Sequence, residues 1–353
     1  MRRGRRARIE IPVGRMPTQV MVTLPVRVVH GAEDGVRLCV TAAIHGDEIN
    51  GVEIIRQVLD LLDPADLAGT VIAAPIVNVF GFSSHSRYLP DRRDLNRSFP
   101  GSRKGSLAAR LAKILMDEVV DPCSHGIDLH TGAAGRMNLP QVRCDLEDGE
   151  IRRCAEAFGA PIMIHSRGPG GSLRRTATRA GKNVIVYEAG EVLRYNPAAI
   201  EVGVQGILGV MASLGMIASS RDSSVEPVSS HRQKWVRAQR GGIVHIQVEL
   251  GEHVVNRQQL AVISDPMGEC EYLIRSPGDG YVIGGITNPL VNRGDAVLHI
   301  AFIDPPAPIE PDMPAQIDNG FAEGSGALRL PVDPANGSVG SSASDGSNDG
   351  HDA

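Results

Sequence analysis

The chain reads as an α/β protein, a mixed sheet flanked by helices, followed by a small all-β region. Three observations predict this. Up to about residue 220, short β-rich runs alternate with helical periodicity, the pattern of a sheet covered by helices. Residues 217–234 are polar, serine-rich and lack apolar periodicity, which marks a linker. From Trp235 onward, short strands joined by glycine-rich turns carry an internal repeat. A length of 353 residues with 42% hydrophobic content is enough to bury a sizeable core and suggests two domains.

Residues 1–19 form a basic lead-in whose Arg2, Arg3, Arg5, Arg6 and Arg8 read as a solvated, frayed arm. Within residues 20–222, the expected catalytic domain, the runs Val36–Ala43, Val71–Asn78, Ile127–His130, Pro161–His165 and Asn183–Tyr187 are expected strands. Gly51–Leu62 has a helical pattern. Ser106 is an N-cap candidate for a helix through Val119, with Leu107, Leu111, Ile114 and Leu115 on one face, and Pro197–Met216 repeats that pattern. A linker at 223–234 leads into a β region at 235–303. There Val255-Asn256-Arg257 recurs as Val291-Asn292-Arg293, and Gly242-Ile243-Val244 as Gly280-Tyr281-Val282. This region resembles the barrel-sandwich of biotinyl and lipoyl carrier domains. No lysine follows Lys234, so it has no residue for a carrier's covalent group. Residues 304–353, rich in Pro, Gly, Ser and Asp, read as a disordered acidic tail.

Composition narrows the function. The net charge is −5, and the tail holds nine acids against Arg329, or −8, which leaves +3 for the rest. No aromatic platform or reading helix accompanies the basic arm, so nucleic acid is not an expected partner. No run approaches the roughly 18 apolar residues of a membrane span, and the N-terminus lacks a secretory apolar core, so a cytoplasmic location is expected. Five scattered cysteines without a C-x-x-C pair read as reduced thiols.

The chemistry concentrates in a few motifs. His45-Gly46-Asp47-Glu48 lies where a strand ends and a helical pattern begins, and strand ends are where α/β sheets bind ligands. In a helical turn, residues three apart project to one side and can share a metal. Gly126-Ile127-Asp128-Leu129-His130 is a second strand ending in histidine. His125 is an odd number of residues away and should point elsewhere, whereas Asp128 shares the face of His130. Two imidazoles and one carboxylate leave one tetrahedral position open, as in catalytic zinc sites, where the metal lowers the pKa of water towards ~7. Glu188, at the end of another strand, is the candidate general base, preferred over Glu191 beyond the intervening glycine. A guanidinium-dense loop from Arg87 to Gly101 contains Asp94-Leu95-Asn96-Arg97, and arginine suits two-point binding of a carboxylate.

Together, His45-x-x-Glu48, Asp94-Leu95-Asn96-Arg97, Asp128-Leu129-His130 and Glu188-Ala189-Gly190 resemble the succinylglutamate desuccinylase and aspartoacylase family, related to the zinc carboxypeptidases. The resemblance covers roughly residues 20–305. It implies a zinc-carboxypeptidase-like fold, with one zinc ion held by His45, Glu48 and His130. It implies that Glu188 moves the proton, Arg87 helps stabilise the oxyanion, and Asn96 and Arg97 hold the substrate carboxylate. The loop between Arg87 and Asp94 is longer than expected for aspartoacylase, and no β-region residue can be matched to the site, with Tyr272 and Tyr281 only as guesses. The expected activity is hydrolysis of a small N-acyl amino acid or related carboxylate-bearing amide. A zinc carboxypeptidase acting on peptides and a non-catalytic metal or ligand-binding module are the alternatives. The expected partner is a small amide, with neither nucleic acid nor membrane; a homo-oligomer is left open.

Overall fold

The structure, a computed structural model, describes residues 2–218 and 227–303. The expected acidic tail and residues 223–226 of the expected linker lie outside the described residues.

Strands β1 (Arg5–Arg15) and β2 (Met21–His30) form a hairpin, followed by β3 (Glu33–Ala42), helix α1 (Asn50–Leu61) and β4 (Ala68–Ala74). After a short α2 (Val79–Ser83) and the arginine-rich loop come α3 (Leu107–Leu115) and β5 (His125–His130). Then follow β6 (Arg136–Cys144), α4 (Gly149–Phe158), β7 (Ile162–His165), α5 (Leu173–Arg179), β8 (Asn183–Gly190) and α6 (Pro197–Ser213). The sheet order begins β1-β2-β4-β3-β5-β8-β6. Its centre, β4-β3-β5-β8, is parallel, while β2 and β6 pair antiparallel to its two sides. A mixed sheet is therefore present, as expected.

Alternation along the central strands creates the two faces. Leu38, Val40, Ile127, Leu129, Ile185 and Tyr187 point to one side, where they pack with α1, α4 and α6. Cys39 and Val184 point to the other, with α3 and α5. The period of two in a strand then requires Asp128, His130 and Glu188 to lie on the α3 and α5 side. Ser106 caps α3 by accepting from Ala109 N, as its sequence position predicts, and the last turn widens into a π turn at Met116–Val120.

The remaining strands are β9 (Val228–Ser230), β10 (Gln233–Arg237), β11 (Gly242–Ile246), β12 (His253–Val254), β13 (Gln259–Ser264), β14 (Glu271–Arg275), β15 (Gly280–Ile286), β16 (Leu290–Val291) and β17 (Ala296–Phe302). A second sheet, β14-β13-β11-β16, encloses Val244, Leu260, Ile263, Val282, Val297 and Ile300 with the strands of the first. The sequence repeat becomes a pairwise exchange. Short β12 pairs with β15, the first strand of the second unit, and short β16 pairs with β11, the first strand of the first.

Three expectations need correction. The basic arm is not frayed: Arg5–Arg15 is an eleven-residue strand paired along β2, with Val13 buried and Arg6 donating to the Leu62 carbonyl. Ile9, Ile11 and Val13 alternate as a strand should, but the cluster of arginines that precedes them obscures the pattern. Residues 227–234 are not simply linker, since β9 and the start of β10 lie there. The β region is also not detached, because β15 pairs with β6 and extends the main sheet through β17 to β10. Among the described residues, no helix is long and apolar enough to cross a membrane.

The turn between β3 and α1 is packed to its backbone. A Cβ on Gly46 would run into the backbone of Gly81 and Phe82, which cannot retreat as a flexible side chain could. Gly46→Ala is expected to lower unfolding stability by ~1–3 kcal/mol, the usual cost of overpacking, measured by chemical denaturation. A midpoint equal to that of the parent chain would contradict this packing.

Candidate active site

The chain leaves β3 through Ala43, whose φ of 49° lies in the left-handed region, and makes a tight turn in which Glu48 N donates to His45 O. Helix α1 starts only at Asn50. His45 and Glu48 therefore meet across a turn and not along a helix face, which corrects the helical expectation. His130 ends β5 and stands directly beside Glu188 of β8 in the parallel register. The arginine-rich loop returns Arg87 and Asp94 to the same place, and a 3-10 turn at Leu95–Arg97 is capped by Asp94.

All seven candidate residues, His45, Glu48, Arg87, Asn96, Arg97, His130 and Glu188, line one cavity of about 250 Å³. Glu48 is its centre, only 2% exposed. One carboxylate oxygen is 2.6 Å from His45 Nδ1 and the other 2.7 Å from His130 Nδ1. Thr131 N donates to Glu48 at 3.2 Å, and Arg87 Nη1 at 3.3 Å. The opposite nitrogens of the two rings also face carboxylates: His45 Nε2 lies 3.2 Å from Asp94, and His130 Nε2 lies 2.9 Å from Asp128. Thr41 donates to the other oxygen of Asp128 at 2.7 Å, which holds that carboxylate in place.

Carboxylates on Nε2 orient the rings and leave Nδ1 as the nitrogen turned to the common point, the arrangement expected of metal-binding histidines. Potential ligand atoms of His45, Glu48 and His130 lie within 4.8 Å of one another. Either protons on the two Nδ1 atoms or one divalent cation would satisfy Glu48 between the rings. The donor set thus fits a metal ion. Two other groups have ligand-like spacing, His125–Glu150–Cys154 and Asp145–Glu147–His165. In the first, Glu150 already holds Arg153 at 2.6 Å, and in the second, Glu147 holds Arg167 at 2.7 Å. His125 points away from the cavity towards Glu150, as its odd spacing from His130 predicts.

Glu188 is fixed by β6. Asn138 Nδ2 donates to its Oε2 at 2.9 Å, and Arg143 Nε lies 3.2 Å from the same oxygen. Asn96 accepts from Leu173 N through Oδ1, so its Nδ2 is the group left to donate, and Arg97 Nη1 donates to the Asn96 carbonyl. Asn138 and Arg143 lie on β6, which is not among the strands expected from sequence. Pro140 sits at an irregularity between Asn138 and Gln141 in the pairing of β6 with β8, a position where a strand tolerates proline. Tyr272 and Tyr281 do not line the cavity.

The electrostatics follow from this packing. Burial alone would lower the pKa of both imidazoles, but Glu48 and Asp94 outweigh it at His45, and Asp128 and Glu48 outweigh it at His130, so both are raised. Burial likewise opposes ionisation of Glu48 and Asp94. At Glu48 the two histidines prevail, at Asp94 His45 and Arg87, and both carboxyls are held well below their usual range.

Architecture and site define a class, the α/β deacylases of the zinc-carboxypeptidase-like fold. Residues 34–214 match the succinylglutamate desuccinylase/aspartoacylase catalytic domain, and the chain belongs to that family. It is 28% identical over 296 residues to an N-alpha-acetyl-L-2,4-diaminobutyric acid deacetylase of Halomonas elongata, covering 80% of this chain and 86% of the relative. A succinylglutamate desuccinylase/aspartoacylase structure from Rhodobacter sphaeroides superposes with a TM-score of 0.77 at 26% identity, covering 86% of this chain and 97% of that one. The product-bound ectoine utilization protein of Ruegeria pomeroyi shares the fold, with a TM-score of 0.77 at 21% identity over 86% and 96% of the two chains.

A pH dependence follows for chelator-treated protein. Imidazoles whose folded pKa exceeds the unfolded value of about 6.5 stabilise the fold fully below that pH and lose the contribution as pH rises through the folded value. Between pH 6 and pH 9, this protein should therefore lose stability, followed by thermal unfolding. Loss is expected to be weaker in a His130→Gln variant, and an equal slope in both would contradict the assignment.

Proposed function

We propose that the chain is a zinc-dependent hydrolase that cleaves the amide bond of a small N-acyl amino acid or related carboxylate-bearing amide. The observation that carries this reading is the meeting of His45, Glu48 and His130 at one point of a cavity that also holds Arg87 and Glu188. These three residues would hold one zinc ion per chain, two imidazoles and a carboxylate being the donor set of catalytic zinc sites with one position open. When bound, the ion supplies Lewis acidity, polarising a carbonyl and acidifying water.

The protein's own residues do the rest. Glu188, beside His130, accepts the proton of the attacking water and returns it to the leaving nitrogen. Asn138 and Arg143 hold its Oε2, which leaves Oε1 to meet the water. Arg87, anchored by Asp94 at 3.0 Å, presents its guanidinium where negative charge develops on the former carbonyl oxygen. Asn96 and Arg97 receive the substrate's carboxylate.

The family and the deacetylase name of the Halomonas relative support amide hydrolysis. A cavity of about 250 Å³ favours a small amide over the extended peptide that a carboxypeptidase would hold. The five cysteines are all free and four are buried, which supports a reducing, cytoplasmic setting.

Glu188→Gln should retain one zinc per chain and lose at least ~10² in kcat, the usual scale for a positioned base. Elemental analysis and acetate or succinate release from acyl amino acids measure this, and unchanged turnover would reject the assignment. Asp128→Asn should weaken zinc binding ~10–100-fold, read by competition with a chromogenic chelator. Undiminished affinity would show that Asp128 does not orient His130.

A further inference from the structure

The cavity is unevenly charged. Three carboxylates line it, and each is already engaged: Glu48 by the two imidazoles, Asp128 by Thr41 and His130, Glu188 by Asn138 and Arg143. Five guanidiniums line it too. Arg87 and Arg143 are paired with acids, but among the described residues no carboxylate lies within ion-pair distance of Arg97, Arg136 or Arg174. Arg97 is assigned above to the substrate's first carboxylate. Arg174 is buried and spends both Nη groups on Ser166. Arg136 remains.

Its support comes from the β region. Across the strands β6, β15, β17 and β10, Asn138 pairs with Gly284, Gly284 with His299, and His299 with Trp235. Gly284 allows the row to close up, since a Cβ there would stand 2.8 Å from Asn138 Oδ1. Trp235 stacks on His299 with centroids 4.4 Å apart and planes 8° apart. The guanidinium carbon of Arg136, two residues before Asn138, lies over the Trp235 ring at 4.9 Å. None of its side-chain N–H groups has an acceptor among the described residues. Burial, then Arg143 and Arg136, push the His299 pKa down to about 3, so this ring is neutral and adds no charge beneath Arg136.

We propose that Arg136, held over Trp235 by the β region, is a specificity-determining residue that receives a second carboxylate of the substrate. An aromatic face holds a cation without consuming its hydrogen bonds, so a half-buried guanidinium remains free to grip an anion by two points. An ammonium-bearing side chain, such as that of the diaminobutyric acid in the relative's name, would find no uncommitted carboxylate among the described lining residues. The inference rests on the deacylase reading for the position of the first carboxylate, and it concerns which acyl amino acid is selected.

N-acetyl-L-glutamate and N-acetyl-L-glutamine are nearly isosteric and differ by one charge, and Trp235 is the chain's single tryptophan. Its fluorescence reports binding directly, independent of turnover. In the zinc-loaded full chain, the acidic compound should bind ~10–100-fold more tightly than the amide, the scale of one charge-assisted hydrogen-bonded pair. Arg136→Gln should reduce this preference to below about threefold, through KM and not kcat, with handling of the glutamine compound unchanged as the control for folding. No preference in the parent chain, or an equal loss for both compounds in the variant, would overturn the proposal. If neither compound is hydrolysed, the fluorescence preference and its loss still decide the role of Arg136, separately from the deacylase reading, which fails only if no acyl amino acid is cleaved.

Discussion

A carboxylate with 2% exposure, pressed between two imidazoles, is the constraint around which this molecule is arranged. Removing a charge such as Glu48 from water costs several kcal/mol unless partners replace its hydration. His45, His130, Thr131 N and Arg87 supply those partners, from three separate stretches of chain. Asp94 and Asp128 then stand behind the rings, so the charge alternates outward from Glu48 and each imidazole is held on both sides. Rings held in this way have little freedom to turn. That rigidity is what a metal-dependent site needs, since ligands already in place need not be reorganised on binding.

Strand geometry makes the convergence possible. The ends of β3, β5 and β8 lie side by side in a parallel arrangement, and alternation sends the apolar residues to one face and Asp128, His130 and Glu188 to the other. The antiparallel strand β6 closes the site with Asn138 and Arg143. Because β6 also pairs with β15, the β region is built into the wall of the cavity and is not an appended module. Gly284 and Trp235, remote in sequence from every motif, thereby stand against Asn138 and Arg136, which line the cavity.

Much of this arrangement was legible in the sequence, for physical reasons that can be named. Apolar runs such as Ile127–His130 and Asn183–Tyr187 are strands because they are buried on both faces, and such strands read as continuous hydrophobic runs. Polar residues at their ends then stand out. Helix α3 was visible through its cap and its spacing, but α4, bounded by Asp148 and by Gly159 in the left-handed conformation, carries the same kind of signals and went unread. Strand β1 was hidden by arginines that serve the exposed edge of a sheet, and β6 by a proline at a pairing irregularity. His45 and Glu48 were found by spacing, although the turn that joins them is not helical. The partners on Nε2 could not all be assigned from sequence, because Asp94 reaches His45 across 49 residues through a loop with no periodicity.

Zinc-edge X-ray absorption on the zinc-loaded protein, together with anomalous diffraction to locate the ion, tests this account most directly. One ion per chain is expected, with nitrogen and oxygen neighbours at ~2.0–2.2 Å, no sulfur shell, and bonds to Nδ1 of His45 and His130 and to Glu48. An ion ligated by Cys154 beside His125 and Glu150, recognised by a sulfur distance of ~2.3 Å, with none between His45 and His130, would contradict it.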